Sequence, residues 1–169
     1  LRTFTRLAEE DKNTDDIHQN NEETQLNLQY ELKDRIQVEK RYGKLPRIMC
    51  HPGKHNQVLM NILKNAIDAI NGKDRLSSDE KIIIETSVAE RDDGLFAAIS
   101  VTDTGPGLTD EAKAHLFDPF FTTKDVGAGT GLGLSITLGI VHNHNGFVEV
   151  DNSASGGAVF TILLPVTDI

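Results

Sequence analysis

Apolar residues recur along this chain at helical spacing in several segments. The clearest lies between Pro52 and Gly72, with a proline near its start and a glycine at its end, as helices prefer. Its apolar residues cover almost the whole circumference, which predicts a buried helix. The first seven residues have the spacing of a helix that ends there, and the acidic, amide-rich stretch 8–23 predicts a linker. Further helices are predicted at 24–32, 110–116 and 133–143.

Short apolar runs with strand periodicity lie between these helices. Residues 81–88 and 95–102 predict a hairpin whose loop, 89–94, is slightly longer than the minimum. Residues 146–152 and 158–164 predict a second hairpin around a Ser/Gly-rich turn. Two peripheral strands are predicted at 36–42 and 47–50. Intermixed helices and antiparallel hairpins indicate an α+β fold, a two-layer α/β sandwich in which one mixed sheet carries helices on one face.

Length and composition fit one globular domain. The chain has 169 residues, 38% hydrophobic and 25% charged, and this length is enough to bury a core of its own. The formal net charge of −9 has the wrong sign for holding nucleic-acid phosphates. Cys50 is the only cysteine, which disfavours a disulfide framework and favours a reducing, intracellular setting. Because there is no initiator Met, signal-peptide pattern or membrane-spanning run, we expect a soluble piece of a larger protein.

Three polar residues interrupt the apolar helix predicted between Pro52 and Gly72. Asn61, Asn65 and Asp68 follow one another at about one-turn spacing and therefore share one stripe. The stripe is either a solvated edge or a set of oxygen ligands for a hard cation such as Mg²⁺. Asparagine is a mediocre helix former, so its repetition in a Leu/Ile/Ala helix favours the ligand interpretation.

Asp103 follows the predicted strand 95–102 and opens a turn that contains Gly105 and Gly107. An aspartate in this place commonly serves only to stabilise the turn. A carboxylate is also purely an acceptor, so in an apolar slot it would bind the exocyclic amine of adenine and repel the carbonyl of guanine. The glycines would then let the backbone approach the base closely.

Four glycines alternate strictly between residues 127 and 133 and lead directly into a predicted helix. A flexible linker would not continue into apolar residues such as Leu132, Leu134 and Ile136. Such a loop presents backbone N–H groups at a helix N-terminus, which favours phosphate binding. Its spacing matches neither the dinucleotide-binding nor the P-loop fingerprint, which excludes ordinary Rossmann and P-loop folds.

Segment 117–124, between the two glycine motifs, contains three of the seven phenylalanines of the chain. They are either core residues or part of an apolar, threonine-rich lid over a nucleotide. In a lid, Lys124 would be available to a phosphate.

The order Asn-x-x-x-Asn, Asp-x-Gly-x-Gly, Phe-x-Pro-Phe-Phe and Gly-x-Gly-x-Gly resembles the ATP-binding catalytic domain of two-component sensor histidine kinases. That superfamily also holds gyrase, mismatch-repair and heat-shock-chaperone ATPases, and membership implies the Bergerat ATP-binding fold. The resemblance runs from about residue 18 to residue 165, and segment 117–124 is most similar to the nitrogen-regulatory branch of the kinases. Segments similar to the N, G1, F and G2 boxes of the family are 56–66, 103–107, 117–121 and 129–135.

The resemblance implies ATP and Mg²⁺ as cofactors. It implies that Asn61 and Asn65 are catalytic residues near the metal and that Asp103 binds the adenine amine. The implied ATP-binding residues are Asn61, Asn65, Asp68, Asp103, Gly105, Gly107, Phe121, Thr122, Thr123, Lys124, Gly129, Thr130, Gly131, Leu132 and Gly133.

One position separates these kinases from their hydrolysing relatives, which carry a Glu one turn before the metal-binding Asn. This chain has Asn61 there, and an amide cannot accept a proton near neutral pH. The resemblance therefore implies transfer of the γ-phosphoryl of ATP to a histidine of an upstream dimerisation domain, and from there to a response-regulator receiver domain. The alternatives are an ATPase or serine kinase on the same fold, and a non-catalytic, nucleotide-dependent interaction module.

The acceptor histidine is expected outside this chain, because none of its six histidines has the family pattern of His, an acidic residue and a later Pro. Residues 1–17 are similar to the end of the upstream dimerisation helix and its linker, and 18–169 to the catalytic domain. A departure from the family is Ala128, where relatives often carry Lys. We expect a monomeric domain within a homodimeric, cytoplasmic protein that is either free or membrane-anchored, with no nucleic-acid partner.

Overall fold

The computed structural model describes residues 10–12, 14–32, 35–46, 48–50, 53–73, 77, 79–119, 133–154 and 156–166. The strands are β1 (Glu10–Lys12), β2 (Gln37–Tyr42), β3 (Ile48–Cys50), β4 (Lys81–Arg91), β5 (Gly94–Asp103), β6 (Phe147–Asn152) and β7 (Ala158–Pro165). The helices are α1 (Thr14–Asn27), α2 (Gln29–Leu32), α3 (Lys54–Asn71), α4 (Asp110–His115) and α5 (Gly133–Asn143). None of these helices is long and apolar enough to cross a membrane.

Five strands form one mixed sheet in the order β2-β4-β5-β7-β6. β2 and β4 are parallel, and every other neighbouring pair is antiparallel. β1 and β3 form a separate antiparallel pair. The predicted α+β fold with a mixed sheet is confirmed, and the two strands predicted to be peripheral lie at a sheet edge and outside the main sheet.

One face of the sheet forms the core with the helices. Strand register sets Ile84 of β4 opposite Val101 of β5, and Val101 opposite Phe160 of β7, and all three are at most 2% exposed. Because side chains alternate along a strand, Asp103, two residues after Val101, lies on the same face. The helix predicted between Pro52 and Gly72 is confirmed as α3, but only one face of it is buried, and Lys64, Asp68 and Asn71 are exposed. Its buried residues are His55, Val58, Leu59, Ile62, Leu63, Ala66, Ile67 and Ile70.

The N-terminal helix begins at Thr14, so the prediction of a linker up to residue 23 was wrong. The buried stripe of α1 contains Ile17, Asn21 and Thr24, each at most 1% exposed. Two of these three are polar, so the stripe has little apolar periodicity for a sequence pattern to detect. The helix predicted over residues 1–7 lies outside the described residues, and the division between residues 17 and 18 stays a prediction.

The first hairpin is tighter than the sequence predicted. β4 and β5 continue to the pair Arg91 and Gly94, which leaves only Asp92 and Asp93 in the turn. Gly94 has φ 124°, a backbone conformation that other residues rarely adopt. The Arg91 guanidinium donates to both carboxylate oxygens of Glu149 at 2.9 and 2.8 Å, which connects the polar end of β4 to β6.

Candidate functional site

The polar stripe of α3 faces the start of α5. Asn61 Nδ2 donates to the carbonyl of Gly133 at 3.2 Å and to Thr137 Oγ1 at 3.3 Å. Thr137 is fully buried, and its hydroxyl also donates to the Gly133 carbonyl at 2.9 Å. Asn61 therefore uses its amide N–H to tie α3 to the first turn of α5, and its Oδ1 remains available as an oxygen ligand.

Asn65 lies one turn further along α3 and is partly exposed. Within the described ranges, its side chain makes no hydrogen bond. Asp68, a further turn along, is exposed to solvent, and its backbone carbonyl accepts from the N–H of Gly72 at the end of the helix. Of the predicted metal ligands, Asn65 is thus the one whose amide is not engaged by the described part of the fold.

Asp103 ends β5 and is only 2% exposed. Its Oδ1 accepts from the backbone N–H groups of Gly105 at 2.8 Å and Ala158 at 3.3 Å. Oδ2 accepts no hydrogen bond from the residues that the structure describes. Burial raises the pKa of the Asp103 carboxyl above its ordinary value, and the two N–H donors and the charge of Lys73 offset this rise only in part. This buried carboxylate thus has one acceptor oxygen without a donor among the described residues, and its role in binding adenine stays a prediction.

Two glycines allow the backbone to lie against Asp103. A Cβ at Gly105 would lie 2.9 Å from Asp103 Oδ1 and 3.0 Å from the Cβ of Ala69 on α3. A Cβ at Gly157, just before β7, would lie 1.8 Å from the Asp103 carbonyl oxygen. The overlap at Gly157 is with backbone and excludes any side chain there, whereas a side chain at Gly105 would require Asp103 and Ala69 to shift. The sequence pattern predicts a role for Gly105 in the site, whereas it predicts Gly157 only as part of a hairpin turn.

The arrangement orders the predicted site along one side of α3. Gly133 lies opposite Asn61, with a built Cβ 3.9 Å from Asn61 Cγ, and the Asp103 loop lies against Ala69. Asn65 falls between them. At 1.5 Å per residue, the helix separates these two ends by about 12 Å.

A buried ion pair between Lys73 and Glu80 holds the loop that follows Asp103. Glu80, 1% exposed, accepts from Lys73 Nζ at 2.9 and 3.0 Å, from the N–H of Ser77 at 2.7 Å and from Thr104 Oγ1 at 2.7 Å. Lys73 also donates to the Thr104 carbonyl at 3.0 Å. Burial alone would raise the pKa of Glu80, but these three donors outweigh it and lower the pKa to about 2. The network joins the end of α3, the start of β4 and the residue after Asp103.

The Glu80 network and Gly157 were missed by the sequence analysis. Glu80 and Lys73 lie in a polar segment with no periodicity, so only the fold reveals that they meet. Gly157 is one of two adjacent glycines in a turn, which is a common pattern of turns in general.

Gly107 needs glycine for a structural reason, because it has φ 82° and a built Cβ would lie 2.5 Å from the carbonyl oxygen of Gly156; its contact with the base stays a prediction. The remaining predicted nucleotide contacts lie outside the described residues. They are Phe121, Thr122, Thr123, Lys124, Gly129, Thr130, Gly131 and Leu132.

Residues 51–168 match the family model for histidine kinase-, DNA gyrase B-, and HSP90-like ATPases. Sensor histidine kinase ZraS of Salmonella typhimurium is 39% identical over 122 residues, which are 72% of this chain and 24% of that protein. The chain therefore spans about a quarter of the length of this relative.

Solved structures show the same fold. The catalytic domain of histidine kinase ThkA, crystallised in a nucleotide-free form, superposes with a TM-score of 0.74 at 28% identity and covers 93% of this chain and 97% of its own. Full-length ShkA in complex with AMPPNP superposes with a TM-score of 0.70 at 26% identity, over 89% of this chain and 30% of its own.

Proposed function

This chain belongs to the family of histidine kinase-, DNA gyrase B-, and HSP90-like ATPases, and on that premise we propose that it binds Mg-ATP and donates the γ-phosphoryl group to a histidine. The histidine would belong to a dimerisation domain upstream of residue 18. The observation that carries the proposal is the buried Asp103 carboxylate at the end of β5, whose Oδ2 accepts no hydrogen bond from the described residues.

Asp103 suits recognition of adenine. Its Oδ1 is held by two backbone N–H groups, so the carboxylate has a fixed direction. The remaining Oδ2 would accept from the exocyclic amine of the base, and guanine would present a carbonyl oxygen there instead. Gly105 lets the loop backbone lie close to Ala69 and to Asp103 Oδ1, which a built Cβ would meet at 3.0 and 2.9 Å.

The oxygen atoms of Asn65 and Asn61 suit a hard cation. The donors of Asn61 are used toward α5, which leaves its Oδ1, and Asn65 has no partner among the described residues. A bound Mg²⁺ would neutralise phosphate charge and orient the γ-phosphoryl group. Phosphoryl transfer needs positioning and charge neutralisation more than covalent chemistry by the protein.

The N-terminus of α5 suits the phosphates. Gly133 is the first residue of this helix, whose leading N–H groups and dipole favour an anion. In a chain of net charge −9, backbone N–H groups, a bound cation and Lys124 would act against an unfavourable overall field. The glycine-rich segment 129–132 and the lid residues 121–124 are proposed to complete the phosphate contacts.

Asn61 favours a kinase over a hydrolase. An amide cannot remove a proton from water, and the N–H groups of Asn61 are directed to Gly133 and Thr137. Bound ATP would therefore be hydrolysed only slowly, and its γ-phosphoryl group would remain available to a nucleophile stronger than water.

The remaining partners follow from the same proposal. Residues 1–17 would connect the upstream dimerisation domain to the catalytic domain at 18–169, and a response-regulator receiver domain would take the phosphoryl group from the histidine. We expect the isolated domain to be a monomer, the full protein to be a cytoplasmic or membrane-anchored homodimer, and no nucleic acid to bind.

Two measurements on the purified chain test this function. Calorimetric titration with Mg-ATP is expected to show one site per chain, with much weaker binding of Mg-GTP. Incubation with γ-labelled ATP is expected to label an added dimerisation domain of the same protein in an acid-labile form, but not a version whose acceptor histidine is replaced by Gln.

The chain alone is expected neither to label itself nor to release phosphate at a useful rate. Rapid hydrolysis by the chain alone, or no binding of ATP, would contradict the proposal.

A further inference from the structure

The turn between β6 and β7 holds the loop that follows Asp103. Asn152, the last residue of β6, accepts from the N–H of Leu108 at 2.7 Å through Oδ1 and donates to the carbonyl of Leu108 at 3.0 Å through Nδ2. One side chain thus satisfies both backbone groups of one loop residue. In the part of the chain that the structure describes, these are the only hydrogen bonds of the Leu108 backbone.

Asn152 is itself fixed at the end of β6. Its Cα pairs with that of Ala158 in the β6–β7 register, and its N–H donates to Asp151 Oδ1 at 2.8 Å. The same Asp151 oxygen lies 3.2 Å from Lys113 Nζ on α4. The amide of Asn152 therefore extends from an anchored backbone toward the loop.

The loop lies directly on this turn. A Cβ built at Gly107 would be 2.5 Å from the Gly156 carbonyl oxygen and 3.1 Å from Asn152 Oδ1. A small displacement of the turn would therefore move the segment 105–108. At its other end, the loop is held at Thr104 by Glu80, so Asn152 supplies the side-chain restraint at the Leu108 end.

We propose that Asn152 is a positioning residue of the nucleotide site, which holds residues 105–108 in the place where they meet the base. This inference rests on the proposed function, since the loop matters to binding only if Asp103 receives adenine. Asn152 acts through Leu108 and touches no part of the nucleotide itself. It acts at the base end of the site, so ATP and ADP depend on it equally.

The test compares nucleotide affinity in three variants at a temperature well below unfolding. Asn152→Ala removes both bonds to Leu108 and is expected to raise the Kd of Mg-ATP and of Mg-ADP by the same factor, about tenfold. Asn152→Asp keeps the size but presents a second oxygen to the Leu108 carbonyl, so it should not restore affinity. Asn143→Ala is the matched control, because this exposed asparagine at the end of α5 makes no side-chain hydrogen bond within the described residues.

Hydrogen exchange separates the failure of this inference from the failure of the proposed function. In the nucleotide-free chain, the Leu108 amide is expected to exchange at least about tenfold faster in Asn152→Ala than in wild type, and to be unchanged in Asn143→Ala. Wild-type chain that fails to bind ATP would refute the function, whatever the exchange result. Unchanged exchange at Leu108, a Kd within twofold of wild type, or a larger loss for ATP than for ADP would each overturn the role of Asn152.

Discussion

At the scale of single residues, Asp103 combines two opposing requirements. Its carboxylate is buried, which disfavours the charged form and raises its pKa, yet the proposed recognition of adenine needs the charged acceptor. Two backbone N–H groups donate to Oδ1, and Oδ2 has no donor among the described residues. A buried carboxyl with a shifted pKa is typical of a functional site.

Asp103→Asn is therefore expected to separate affinity from stability. The amide can keep the bonds at Oδ1 but presents an N–H₂ group to the adenine amine, so the Kd of Mg-ATP should rise about ten- to a hundredfold. The thermal midpoint of the nucleotide-free chain should stay the same or rise, because a neutral amide removes the desolvation of a buried charge. Calorimetric titration and thermal unfolding measure the two effects.

Asp93→Asn is the control, since Asp93 lies in the exposed turn at the opposite end of β5. An Asp103→Asn variant with wild-type affinity would remove Asp103 from the site. A lowered midpoint with unchanged affinity would identify Asp103 as a turn-stabilising residue only.

Gly157→Ala is expected to destabilise the chain by about 1–3 kcal/mol or more, because the new Cβ would overlap the Asp103 carbonyl oxygen. Gly139→Ala provides the matched control. Gly139 is an exposed helical residue of α5 with nothing within 4 Å of a built Cβ, so alanine there should stabilise by about 0.4–1 kcal/mol. Urea unfolding distinguishes the two variants, and similar effects from both would contradict the close approach at Gly157.

Sequence patterns predicted those candidate site residues that belong to local motifs. Asp103, Gly105 and Gly107 were predicted because an aspartate and two glycines at a strand end are informative within five residues of chain. Gly157 and Asn152 were not, because their roles depend on which loop the β6–β7 turn touches. Asn61 was predicted as a metal ligand, and the structure adds that its amide ties α3 to α5.

At the scale of elements, the Glu80 network joins α3, β4 and the end of β5. Its carboxylate has a pKa of about 2, against an ordinary value of 4.5. A lowered carboxyl pKa means that the unfolded chain binds the proton more tightly, so the stabilisation is complete above about pH 4.5 and is lost as the pH falls toward 2.

Glu80→Gln is expected to lower the free energy of unfolding at pH 7 by about 3 kcal/mol, at the low end for a buried pair because Lys73 is partly exposed. The difference between wild type and variant should shrink as the pH is lowered from about 4.5 to about 2. Urea unfolding at a series of pH values measures it. Glu90→Gln, at the exposed end of β4, is the control, and a difference that does not depend on pH would contradict the ion-pair argument.

The start of α1 and the end of β4 were predicted wrongly for the same physical reason. The buried stripe of α1 includes Asn21 and Thr24, so its helical period is not an apolar period. The last residues of β4 are polar, which is typical of a loop, but they pair with β5 as far as Arg91 and Gly94. In both cases contacts made outside the segment, and not its own apolar pattern, determine the element.

At the scale of the whole molecule, the predicted division between residues 17 and 18 can be tested by deletion. Chain 18–169 lacks β1 and loses Ile17, which is fully buried in the core. It is therefore expected to be less stable than chain 10–169 by about 3 kcal/mol or more. Equal urea midpoints for the two chains would show that the catalytic domain is complete from residue 18, as the sequence predicted.

The sequence by itself determined the periods of α3, α4, α5 and the two hairpins, and the placement of Asp103, Gly105 and Gly107 at the end of β5, because each depends on residues close together in the chain. Only the tertiary structure decided that the β6–β7 turn meets the Asp103 loop and that Glu80 meets Lys73 and Thr104. Those contacts follow from the order of strands in the sheet, which brings the ends of β4, β5 and β7 together beside α3. The physical reason is that a local pattern reflects which face of an element is buried, whereas the partner that buries it is set by packing of the whole chain.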